Sequence, residues 1–343
     1  MRWNSTPRPV VWTDRTLTVM RASRLEACEK ELAGLGGLGL FDAETTDADA
    51  ERLFGQSYYA EEEKEPRLHT VEELRVRVLS RLPAEMGLLS PEEYELTVKM
   101  ALFGGELPLF DWNDLLPACS LIRRMWCRAR PERGNWICMP RQICVATLLM
   151  LGSEEVRNVH ETAQEILDTV DNTLYLLGMM PAETVMKDMA FRLQGSLAAD
   201  KPDLYMRMLK ASFETLPGRE GRLLLVHQGL ADPFALTGRE TAGGTGMDQG
   251  TLTELYDSLT EVEDPLYDRM LGLISGLSRP EMQAEDTVED LILLAKQGAP
   301  IGEMRKVLAS RIICMPTEEM NSALQALHDR VPRWFTLNME RVQ

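Results

Sequence analysis

The chain lacks the runs and residue sets on which several function classes depend. Its longest uncharged, mostly apolar stretch, Gln142 to Ser153, is about half of the roughly 20 residues that a bilayer-spanning helix needs, so no membrane span is expected. The opening residues MRWNSTPRPVVW carry charge with no apolar stretch behind it, which argues against a secretory leader and for a cytoplasmic protein. Six cysteines, Cys28, Cys119, Cys127, Cys138, Cys144 and Cys314, show no framework spacing, as suits reduced thiols in a reducing compartment.

Metal chemistry is short of ligands. Between Cys119, Cys127, Cys138 and Cys144 lie 7, 10 and 5 residues, so there is no Cys-x-x-Cys turn to chelate zinc, and these side chains read as small core residues. There are four histidines. The string His160-Glu161-Thr162-Ala163-Gln164 has Gln where a zincin helix places its second imidazole, which leaves an exposed helical histidine. No Glu stands three residues before any histidine, so the Glu-x-x-His pairs of di-iron bundles are missing too. No metal and no cofactor is expected.

Phosphate and nucleophile signatures are equally absent. The glycine-rich stretch has no Gly-Lys-Ser or Gly-Lys-Thr. Its Gly244 to Gly250 segment is one residue too long for the dinucleotide fingerprint and puts Asp248 where a phosphate would approach. Ser275 sits in Gly-Leu-Ile-Ser-Gly, which is not the Gly-x-Ser-x-Gly elbow. No catalytic residue is assigned, and a non-enzyme is the favoured reading.

What the chain does have is helical periodicity. Apolar residues recur at three and four positions almost throughout, and alternating β-branched runs are scarce. In the clearest case Val156, Val159, Ala163, Ile166, Val170, Leu174 and Leu177 form one stripe, ended by Gly178. Thr70 with Glu73, Ser90 with Glu93, and Thr287 with Asp290 have capping-box spacing, and Pro91, Pro140, Pro181 and Pro316 suit first helical turns. Helices are expected near 14–33, 47–54, 70–82, 91–103, 113–129, 140–151, 153–177, 181–199, 201–215, 251–261, 264–277, 280–297, 301–313 and 317–331. Arg222 to Gln228 is too short to type as strand or buried helical turn.

The expected fold is therefore mainly α, a multi-helix bundle or array of antiparallel helix pairs with little or no β-sheet. Two breaks, the charge run Glu61 to Arg67 and the glycine-rich Thr237 to Gly250, divide the chain into an acidic N-terminal helical part (1–65), a central helical domain (66–237), a linker or mobile loop (238–250) and a C-terminal helical part (251–343). Ile-Cys-Met-Pro occurs at 137–140 and 313–316, each time with Leu 11 and 14 residues after the Ile, through either duplication or convergent helix starts.

Charge is the other asymmetry. With 37 Lys and Arg against 54 Asp and Glu, the net charge of −17 repels phosphate backbones and anionic membranes. Against this background Leu121 to Arg141 holds six arginines, Arg123, Arg124, Arg128, Arg130, Arg133 and Arg141, and one acid, Glu132. The local charge is +5, and Trp112, Trp126 and Trp136 are interleaved. Arginine with aromatic neighbours suits an anion site, with Trp126 and Trp136 as stacking surfaces, but internal ion pairs and a tryptophan core explain the same residues. Met179, Met180, Met186, Met189, Met206 and Met208 either line an adaptable groove or fill helix packing. The first reading is a cytoplasmic helical protein-interaction or adaptor protein with a protein partner. The alternative is an enzyme or binder of an anionic small molecule, phosphate or carboxylate, using Arg123 to Arg141. Nucleic acid ranks last because of the overall acidity.

Overall fold

The computed structural model describes residues 30, 37–62, 68–109, 112–130, 133, 136–218, 222–230, 249–280 and 282–334. Among them the fold is mainly helical, with thirteen helices and two small three-stranded sheets. The described residues divide between two compact units, the first within 37–168 and 185–212, the second within 169–184 and 213–334. The expected helix at 14–33 and most of the 238–250 segment lie outside the described residues.

The first unit opens with α1 (Asp47–Gly55), α2 (Tyr58–Glu62), α3 (Val71–Gly87) and α4 (Pro91–Leu102). Thr46 with Asp49, Thr70 with Glu73 and Ser90 with Glu93 each close a full capping box, satisfying donors that a helix start leaves open. Next come β1 (Glu106–Pro108), α5 (Trp112–Arg123), β2 (Arg128–Ala129), β3 (Trp136–Cys138), α6 (Arg141–Leu151) and the first part of α7 (Glu154–Leu177). The helix expected to run to 129 stops at Arg123, since Met125 takes φ 57° and turns the chain into β2. Most of α8 (Ala182–Arg192) and all of α9 (Pro202–Ser212) complete the unit. Leu74, Val78, Leu82 and Met86 line one stripe of α3 and join Leu96 and Met100 of α4, Leu121, Trp126 and Ile143 in its core. Between α4 and β1, Gly105 has φ 90°, and a Cβ there would lie 2.4 Å from the Met139 carbonyl, so this crossing admits glycine alone.

The second unit contains the end of α7, β4 (Met179–Pro181), β5 (Glu214–Pro217), β6 (Leu223–Val226), α10 (Gln249–Ile274), α11 (Ala284–Lys296), α12 (Ile301–Arg311) and α13 (Glu318–Arg330). The Arg222 to Gln228 segment thus contains a strand, Leu223–Val226, and the helices expected at 251–261 and 264–277 are one helix with Pro265 inside it. Thr287 is not a cap: it lies in the first turns of α11, where its hydroxyl donates to the Gln283 carbonyl, while Asp290 pairs with Arg311. Leu266, Met270 and Ile274 pack with Val288, Leu291, Leu308, Leu324 and Leu327 as the core.

Both sheets have the same order. In β1-β3-β2 and in β4-β6-β5, the last strand in sequence is central and antiparallel to its two neighbours. The two Ile-Cys-Met-Pro copies are not equivalent within this scheme. The first spans the end of β3 and caps α6, with Ile137 and Met139 buried, whereas the second follows α12, with Ile313 65% and Met315 85% exposed.

Candidate functional site

The arginine segment does not form one patch, because between 121 and 141 the chain passes through a helix end, two strands and a new helix start. Arg124 turns inward. Its guanidinium lies 3.2 Å from Glu85 and 3.2 Å from Glu93, and all three side chains are almost completely buried. Glu85 also accepts from the Tyr59 hydroxyl at 3.1 Å and faces Arg207 at 3.3 Å and Arg81 at 3.4 Å, while Arg81 reaches Asp203 at 2.6 Å. Burial disfavours charge on Arg124, but Glu93 and Glu85 outweigh it and raise its pKa. Burial also raises the Tyr59 phenol well above its ordinary value, with the neighbouring Glu85 adding to the effect.

Arg123 lies 4.2 Å over the Tyr58 ring, joined there by Arg207 at 4.5 Å and Arg124 at 5.7 Å. The Tyr58 hydroxyl donates to Ser120. Further along, Arg128 faces Asp42 and donates to the Gly37 carbonyl, and Arg130 and Arg133 grip the two oxygens of Glu106 at 2.7 and 2.8 Å. Arg141 is exposed at the start of α6. Trp126 is fully buried beside Arg124, so its indole faces core rather than a ligand; Trp136, half-buried on β3, lies 6.0 Å from the Arg133 guanidinium.

Thus Arg123 and Arg124 belong to a cluster whose other members, Tyr58, Tyr59, Arg81, Glu85, Glu93 and Arg207, come from four other helices. In the sequence Glu93 occupies a capping box, and Glu85 is one of three acids on α3, set apart only by its place three residues after Leu82 on the apolar stripe. The arrangement is a buried ionic lattice in which the Arg124 guanidinium bridges the Glu85 and Glu93 carboxylates.

The remaining candidates also find places. Met179, Met189 and Met208 are buried, and Met180, Met186 and Met206 half-buried. Cys119, Cys127 and Cys144 are buried, Cys138 is half-buried and Cys314 is exposed, all as free thiols. Burial raises the Cys127 and Cys144 thiols, which makes them poor nucleophiles. His160 is half-buried rather than exposed, stacked on Tyr94 with ring centres 4.0 Å apart, and burial lowers its pKa. Among the described residues no group of His, Cys, Asp or Glu side chains could hold a metal ion, and no helix is long and apolar enough to cross a membrane.

One surface feature was missed in the sequence. The inner side of α6 buries Ile143, Cys144 and Thr147, while Val145, Leu148 and Leu149 point outward with exposures of 48, 42 and 66%. Leu102 and Phe103, at the end of the neighbouring α4, are 64 and 72% exposed. The signal was the lack of any acid from Trp136 to Ser153. In comparisons with protein families, curated proteins and solved structures, no match to this chain was found.

Proposed function

We propose that this chain is a helical protein-interaction or adaptor protein that works in the cytoplasm and carries no chemistry of its own. The outer face of α6 carries this reading. A helix covering a core normally turns charged residues outward, yet α6 has Arg141 as its sole charge in a chain of net charge −17. Contiguous exposed apolar side chains of this kind mark contact surfaces. Gln142, Val145 and Leu149, all exposed, have the three-and-four spacing that an incoming helix engages. Free thiols at all five described cysteines suit a reducing compartment.

The test is affinity capture from the source cells with the wild type and with Leu148→Asp combined with Leu149→Asp. Both side chains are already exposed, so the double variant should keep the wild-type unfolding temperature and lose specific partners. Recovery of the same proteins by both forms would refute the assignment. Binding of an anionic small molecule through Arg123 to Arg141 has less support, since Arg124, Arg128, Arg130 and Arg133 each face a carboxylate. Stabilisation of the wild type by phosphates, nucleotides or carboxylates, lost in Arg123→Ala, would reverse that ranking. Short oligonucleotides in the same series test nucleic acid, which the net charge places last.

A further inference from the structure

The second unit holds a buried ion pair beside a built-in weak point in its longest helix. Pro265 lies inside α10 and has no N–H, so the Glu261 carbonyl loses its helical donor and the proline ring crowds it. The two sides of this point are anchored differently. After it, Leu266, Met270 and Ile274 are buried in the core. Before it, Glu254, Asp257, Ser258 and Glu261 are exposed, Val262 is half-buried, and Leu259 and Glu263 are the buried side chains among those described.

Glu263, two residues before the proline, is held from two other elements. The ammonium of Lys296, the last residue of α11, meets Glu263 Oε1 at 2.6 Å. The Tyr175 hydroxyl, from the last turn of α7, donates to Oε2 at 2.5 Å. The same ammonium lies 4.0 Å from the Tyr175 ring centre, and Lys296 is 0% exposed. Tyr175 is itself fixed, because the Trp334 indole donates to its carbonyl at 2.8 Å and the His227 ring lies against both aromatic rings. Burying an ion pair costs about as much desolvation as its attraction returns, so such pairs serve registry and switching better than net stability.

We propose that the N-terminal half of α10, Gln249 to Val262, is a hinged arm that pivots at Pro265 and is fastened by the contact of Glu263 with Lys296 and Tyr175. Release uncovers the Leu259 side chain and turns the Lys296 ammonium and the Tyr175 hydroxyl towards solvent, while Leu266 to Ile274 stay in the core. The fastening is specific to one carboxylate, and the weak point sets where the helix yields.

Hydrogen exchange read by mass spectrometry on the full chain tests this. Glu263→Gln should speed exchange of the 249–262 amides about tenfold and leave 266–274 within about twofold of wild type. Because Glu263→Gln strands a buried ammonium, Glu263→Gln with Lys296→Met is measured beside it and should show the same local acceleration. Tyr175→Phe, which keeps the ion pair, should give a smaller acceleration in the same segment. Pro265→Ala restores the missing donor and should slow exchange of 249–262. Acceleration spread equally over 266–274 and α11 in the double variant would make the pair a core support and overturn the hinge. So would an unchanged 249–262 segment, or a Pro265→Ala profile identical to wild type.

Discussion

Replacing Arg124 by Met separates a structural arginine from a ligand-binding one. The methionine keeps most of the aliphatic stem and removes the guanidinium from between two carboxylates that have almost no access to water. Their fates differ. Glu85 keeps Arg81, Arg207 and the Tyr59 hydroxyl, whereas Glu93 keeps the Ser90 backbone N–H on Oε2 and has no partner on Oε1. Removing one partner of a buried pair costs about 3–5 kcal/mol, here mostly the stranded charge of Glu93. For a unit of this size each kcal/mol moves the midpoint by about 2–4 °C, so Arg124→Met should lower the first unit's melting temperature by about 6–20 °C. Adding Glu93→Gln removes the stranded charge and should recover about 2 kcal/mol. Arg133→Met, at a half-exposed pair, should cost under about 1 kcal/mol. Urea and thermal unfolding followed by far-UV circular dichroism and tryptophan fluorescence measure all three. An Arg124→Met protein within about 1 kcal/mol of wild type, or a double variant no better than the single, would refute the lattice.

Three further outcomes follow from local geometry. Gly104 and Gly105 both have positive φ, but a Cβ at Gly104 meets nothing, whereas one at Gly105 strikes the Met139 carbonyl. Gly104→Ala should cost about 1 kcal/mol and Gly105→Ala clearly more in urea unfolding, and equal costs would contradict the close crossing. Ser90→Ala opens the capping box of α4 and leaves the Glu93 N–H without its side-chain acceptor, for a loss of about 1–2 kcal/mol by the same assay. Burial holds the folded-state pKa of His160 below its ordinary 6.5, so on acidification the unfolded chain takes the proton first. This contribution is complete above about pH 6.5 and is lost as pH falls towards the folded-state value. His160→Phe keeps the stack on Tyr94 and should flatten that part of the stability-against-pH curve, and an unchanged slope would argue against the assignment.

Long amphipathic helices were legible because their signal repeats many times. All seven apolar positions of the α7 stripe are buried, and its bounds differ from expectation by one residue. Strands of two to four residues are shorter than the run in which a period of two becomes visible, so five of the six left no readable trace. The arginines of 121–141 did not become one patch in space, since Arg124 is buried against Glu85 and Glu93 whereas Arg128 faces Asp42 and Arg130 and Arg133 share Glu106. Conversely, Glu85, Glu93 and Arg207 meet in the core from positions far apart in sequence, and no spacing rule reports a contact of that kind. Leu148 and Leu149 fit the helical pattern of α6, but periodicity does not say which apolar positions stay uncovered.

The two sheets bear on how a partner would attach. A third strand that returns to the centre satisfies both of its own edges and leaves the earlier strands outside. Those outer strands, β1, β2, β4 and β5, have three, two, three and four residues. Edges this short offer few unpaired backbone groups in line, which is how natural sheets avoid unwanted pairing, and Pro108, Pro181 and Pro217 remove a donor at the ends of three of them. Strand addition is therefore a poor route for a partner at either sheet. A helix laid along Val145, Leu148 and Leu149 needs no backbone donors, only apolar area, and α6 presents that area on a stretch of chain without a single acid. Binding that survives the Leu148→Asp and Leu149→Asp variant would place the contact off the outer face of α6 and refute that assignment.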